Sequence, residues 1–105
     1  MANKVQTKAQ VFERLREQEP KWRALGVNKI GLFGSFVRDE ASPESDVDLL
    51  VEFEPNRESL DNFMHLSFIL EDVLQRPVEL LTTEALSPRV GPQVLESVEY
   101  VHGAA

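Results

Sequence analysis

Apolar and polar positions alternate along this chain in blocks of different period. Thr7-Lys8-Ala9-Gln10 has the spacing of a capping box and opens a helix. Phe12 and Leu15 supply part of its buried face. Pro20 suits the first turn of a further helical segment, and Gly26 suits its left-handed cap. Trp22 and Leu25 are expected to pack on the core. Val27 to Phe33 is a strand, broken by Gly34-Ser35, and Phe36 to Ala41 is expected to form a short helix. After the loop Ser42-Pro43-Glu44-Ser45, residues Asp46 to Phe53 form a second strand. It is nearly all apolar beyond Asp48, as a buried central strand should be.

Glu54-Pro55-Asn56-Arg57 closes that strand with a turn. Ser59 caps a helix that runs to about Leu74. Leu60, Phe63, Leu66, Leu70 and Val73 recur at intervals of three and four, which is one helical face. Pro77 restarts the chain, and Val78 to Leu81 is a short third strand. Ala85 to Ser97 carries Pro88 and Pro92 and is at most a broken helix; Glu99-Tyr100-Val101 is a last short strand. There are no repeats, linkers or low-complexity stretches.

Composition narrows the class. The 105 residues suit one small domain, 1–105, able to bury a core with little area to spare. They are 42% apolar and 28% charged, an ordinary globular balance. The chain has no cysteine, which excludes disulfides and thiolate metal sites and accords with a cytoplasmic location. No apolar run approaches membrane-spanning length, and the first ten residues lack a signal-peptide hydrophobic region, so no membrane role is expected. The net charge is −7, concentrated between Asp39 and Asp61, where nine acidic residues face one basic residue, Arg57. Such a surface repels a nucleic-acid backbone, and stable nucleic-acid binding is not expected.

The chemistry lies in GLFGSFVRDEASPESDVDLLVEF, Gly31 to Phe53. Residues two apart in a strand point the same way, so Asp46 and Asp48 present two carboxylates on one face. Like charges that close repel, and a divalent cation removes the conflict. Mg²⁺ takes oxygen ligands and is held by one or two carboxylates together with substrate phosphates. Gly34-Ser35 after a strand offers close backbone approach, a hydroxyl and N–H groups suited to a phosphate. Each piece alone is a weak signal. Strand, Gly-Ser, ten residues, Asp-x-Asp and buried strand in that order is a much stronger one.

That ordered set resembles the nucleotidyltransferase superfamily of the DNA polymerase beta type. In so short a chain it resembles the minimal nucleotidyltransferase (MNT) branch. The similarity is strongest from Gly31 to Phe53 and extends more weakly through Phe63–Leu74, Pro77–Leu81 and Val98–Val101. It implies an α/β (α+β) fold, a mixed three- to four-stranded sheet flanked by helices. It implies two Mg²⁺ ions and ATP. Gly34 and Ser35 match the phosphate-binding pair, and Asp46 and Asp48 match the two metal-binding aspartates. The family's third carboxylate, usually aspartate, contacts the catalytic metal and helps activate the attacking hydroxyl; the matching place here is Glu79, in PVELLT. Glutamate keeps the charge but moves the oxygens by roughly an ångström, and misplacement on that scale can cost about 100-fold in rate. The alternative for Glu79 is a partly exposed strand residue.

Arg38, three residues beyond Ser35, sits where the family often has a basic residue; it either touches a phosphate or is a surface arginine. His65 reads as a packing or surface residue, and His102 has no assignment. Larger members of the superfamily carry extra domains that hold the acceptor, and no length is left here for one. The acceptor, or the missing wall of the site, is then expected from another protein, in a homo- or hetero-oligomer. In the MNT branch the resemblance points to a toxin–antitoxin pair. The antitoxin transfers AMP from ATP to a tyrosine hydroxyl of a HEPN-domain ribonuclease toxin. Two other readings are a module that neutralises its partner by contact alone and transfer to a small molecule.

Overall fold

The computed structural model describes residues 3–86, 88–89 and 91–101; His102 lies outside them. Helix α1 spans Lys8–Glu17. Thr7 caps it through its hydroxyl, which accepts from the Gln10 amide, while the Gln10 side chain accepts from the Thr7 amide, so the capping box closes both ways. Helix α2, Glu19–Ala24, has Pro20 in its first turn. Its Trp22 is fully buried, and the indole N–H donates to the Leu15 carbonyl at 2.9 Å. That bond satisfies one of the carbonyls left open at the end of α1. Gly26 follows α2 with φ +90°, and the chain enters β1.

Strands β1 (Val27–Phe33), β2 (Val47–Phe53), β3 (Val78–Thr82) and β4 (Glu99–Tyr100) form one mixed sheet in the order β3–β2–β1–β4. β1 pairs antiparallel with β2 and β4, and β2 pairs parallel with β3. A parallel neighbour needs a crossover, and helix α3, Leu60–Leu74, supplies it. Ser59 caps α3, and Gln75 ends it with φ +57°. Helix α4, Gly91–Ser97, precedes β4.

Ile30 and Leu32 of β1, Val47, Leu49 and Val51 of β2, and Leu80 of β3 form one cluster with Val11, Leu15, Trp22, Leu66, Leu70 and Leu74 of the helices. Strand alternation therefore turns Asp48 and Leu50 of β2, and Glu79 of β3, toward the opposite face of the sheet. Helices α1, α2 and α3 hold one side, and the acidic side chains lie on the other.

Two expectations from the pattern are corrected. Phe36 to Ala41 is not a helix: a single 3₁₀ turn covers Gly34–Phe36, and the chain then turns through Asp39 at φ +57°. Phe36 is drawn into the core, which fixes the start of the segment and leaves too few residues for a helix before Ser42. Leu60, at the first turn of α3, is 76% exposed, and Leu74 at the far end is buried.

Candidate active site

Three chain segments meet at one corner of the sheet. The first is the exit from β1. Phe33 pairs with Asp48 across the antiparallel ladder, so Gly34 leaves β1 directly beside the Asp48 side chain. Gly34 has φ +77°, and a Cβ there would lie 2.0 Å from Asp48 Oδ2. Glycine serves two purposes at this position: it accepts a left-handed backbone, and it leaves room for the carboxylate. Ser35 follows in the 3₁₀ turn, where the Glu40 amide donates to its carbonyl at 2.9 Å. The N–H groups here belong to one turn rather than to a helix start, so backbone proximity, more than a helix dipole, is what this loop offers an anion.

The second segment is the start of β2. Asp46 lies exposed one residue ahead of the strand, and Asp48 is half-buried within it. The third is β3, where Glu79 pairs with Asp48 in the parallel register and is exposed. Burial pushes the Asp48 carboxyl up from 3.8 to about 6, aided by a hydrogen bond to Glu79 and by the charges of Glu79 and Asp46. Arg38 acts in the opposite direction and is the weakest influence. Its guanidinium is exposed and lies 3.5 Å from Glu40, so it stands at the rim rather than inside the corner.

Asp46, Asp48 and Glu79 thus act on one another through space and place excess negative charge beside Gly34. Such an oxygen donor set suits a hard divalent cation. Among the described residues no three His, Cys, Asp or Glu side chains are grouped so as to hold a metal ion by themselves, and Asp46, Asp48 and Glu79 are no exception. A cation at this corner would need further oxygens from a ligand beside the aspartate pair. A cavity of about 400 Å³ at the opposite end of the β1–β2 pair is lined by Glu52, Glu54, Glu58 and Glu84, which disfavours a triphosphate there.

A nucleotidyltransferase domain model matches residues 9–101. The chain belongs to that family. This nucleotidyltransferase is 45% identical over 76 residues to the protein adenylyltransferase MntA of Thermococcus cleftensis, covering 72% of the chain and 76% of that protein. It superimposes on a protein assigned as a minimal nucleotidyltransferase with a TM-score of 0.68 and 33% identity, covering 84% of this chain and 93% of the other. The MNT resemblance and the mixed-sheet fold expected from the sequence both hold. The same fold occurs in the complex of a tri-AMPylated Shewanella oneidensis HEPN toxin with MNT antitoxin, at TM-score 0.61 and 20% identity, covering 89% of this chain and 73% of that one.

Other residues of the nucleotidyltransferase fall away from the corner. His65 is exposed on α3, and Trp22 is a core residue. No helix among the described residues is long and apolar enough to cross a membrane. One residue beside the corner escaped sequence reasoning. Arg76 is buried, with Phe36 and the Ser42–Ser45 loop against its guanidinium. Its signal was an arginine set directly before Pro77 and a buried strand.

Proposed function

We propose that the protein is a Mg²⁺-dependent adenylyltransferase acting as an antitoxin: it transfers AMP from ATP to a tyrosine hydroxyl of a partner HEPN ribonuclease toxin. The observation that carries this reading is the register that sets Glu79 beside Asp48, with Gly34 opening against the same carboxylate. The kinship with MntA, a protein adenylyltransferase, supports a protein acceptor. The shared fold of the MNT antitoxin bound to an AMPylated HEPN toxin supports the partner class.

In this mechanism Gly34 and Ser35 receive the triphosphate at the exit of β1. The tyrosine oxygen attacks the α-phosphorus in line; the new O–P bond forms as the bond to the bridging oxygen breaks, and pyrophosphate leaves with the electron pair. Glu79, the more exposed of the paired acids, faces the acceptor and takes its proton. Asp46 and Asp48, with Glu79 beside them, are the residues that would hold Mg²⁺. When bound, the metal supplies charge neutralisation at the triphosphate and lowers the pKa of the acceptor hydroxyl. Arg38 meets the outer phosphates from the rim.

The test is direct. Purified protein, ATP, Mg²⁺ and the intact partner should yield partner molecules heavier by whole multiples of AMP, and Asp46→Asn with Asp48→Asn should abolish the gain. No transfer to an intact partner sinks the proposal. Protection of cells by the double variant would favour neutralisation by contact alone.

A further inference from the structure

Arg76 is a buried charged side chain with no carboxylate partner among the described ion pairs. Burying a guanidinium is costly unless its donors are occupied. Here they are. Nε donates to the Val5 carbonyl at 2.6 Å, and Nη1 donates to the carbonyls of Ser42 at 2.9 Å and Ser45 at 2.8 Å. The guanidinium carbon lies 4.9 Å from the centre of the Phe36 ring.

These partners are next to the working residues. Phe36 follows Ser35, Ser45 precedes Asp46, and Arg76 itself stands three residues before Glu79. The Val47 amide donates to the Pro77 carbonyl at 2.9 Å, which joins the start of β2 to the same point. A cavity of about 280 Å³ adjoins Arg76 and also contains Lys4, but that lysine is spent on the Pro43 carbonyl. Both cations are engaged by backbone, so the cluster reads as a clamp and not as an anion site.

We propose that Arg76 is a positioning residue for nucleotidyl transfer: it sets the distance between the phosphate end, Gly34-Ser35, and the carboxylate end, Asp46 and Asp48, through the loop that joins them. This rests on the function proposed above. A planar fork with several donors is needed to reach carbonyls in two segments at once, and an ammonium group cannot reproduce that geometry.

The test measures AMP transfer by the full chain and its Arg76→Lys, Arg76→Ala and Arg14→Lys variants, at matched folded fraction. Arg14 also donates to a backbone carbonyl, that of Val73 between α1 and α3, and serves as the control. Arg76→Lys should lower kcat about 10- to 100-fold per folded molecule, with KM for the partner unchanged, and Arg14→Lys should leave both near wild type. Millimolar guanidinium should restore part of the rate of Arg76→Ala, and methylammonium should not. If Arg76→Ala does not fold, Arg76→Lys alone decides. An Arg76→Lys rate per folded molecule equal to wild type overturns the inference and leaves the proposed function standing. A wild-type chain that transfers no AMP overturns both.

Discussion

Asp48 and Glu79 occupy paired positions on the parallel strands β2 and β3, and Glu79 helps push the Asp48 carboxyl up. The extra methylene of glutamate, relative to the aspartate expected at this place, thus governs how near its carboxylate comes to Asp48. Shortening it should withdraw the carboxylate from Asp48. Glu79→Asp is expected to lower kcat about 10-fold, and Glu79→Gln, which removes the charge and the proton acceptor, about 100-fold or more. Nucleotide affinity should change little in either. Single-turnover rates beside equilibrium ATP binding check this; full activity in Glu79→Gln would remove Glu79 from the mechanism.

The same pair makes stability depend on pH. Asp48 titrates at about 6 in the fold and near 3.8 in the free chain, so the folded state holds the proton more tightly. Its stabilising contribution is therefore fully present below about pH 4 and is lost as pH rises through about 6. Asp48→Asn keeps the shape without the charge. It should be more stable than wild type by about 1 kcal/mol at pH 7, a figure kept small because the group is only half-buried, and the two should converge at pH 4. Thermal melts in chelator across that range check the sign. A difference that grows toward low pH would contradict burial and the neighbouring carboxylates as the cause of the shift.

Gly34 offers a separate handle on the corner. Its φ of +77° disfavours any Cβ, and the space a Cβ needs holds Asp48 Oδ2. Gly34→Ala should destabilise the fold by about 1–3 kcal/mol. It should also displace the carboxylate and lower transfer by about 100-fold. Gly26→Ala is the matched control. It too has a positive φ, but the added Cβ meets Arg57 Cβ at 2.4 Å, at the other end of β1. Denaturant titration should give similar losses for the two variants, while transfer per folded molecule falls only in Gly34→Ala.

What could be read from the sequence, and what could not, follows physical lines. Val27–Phe33 was legible as an apolar run stopped by Gly34-Ser35, and the helix from Ser59 to Leu74 because burial imposes a period and a cap marks its start. The proximity of Gly34 to Asp48 was legible because adjacent strands bring their ends together. The segment after Ser35 was not, since Phe36 turns inward and Asp39 takes a left-handed backbone, neither of which propensity encodes. Leu60 kept the helical spacing yet lies beyond the edge of the core, a matter of tertiary overlap. Arg76 was hidden most deeply. Its partners are backbone carbonyls 31 to 71 residues away, and a carbonyl leaves no mark in residue type.

Arg38 tests how far the site extends beyond the corner. Its charge lowers the Asp48 pKa against all the other influences, yet its side chain is 55% exposed and its one ion pair, to Glu40, spans 3.5 Å. An exposed pair of that kind is worth less than about 1 kcal/mol, so the guanidinium is free to swing toward a phosphate at little cost. Contact with an outer phosphate would persist through the reaction and stabilise ground and transition states alike. Arg38→Ala should then raise KM for ATP about 3- to 10-fold with kcat unchanged. Because the interaction crosses solvent, the deficit should shrink as ionic strength rises from about 0.05 to 0.5 M. Steady-state kinetics at the two salt concentrations decide the matter, and a fall in kcat at constant KM would place Arg38 at the transferred phosphate instead.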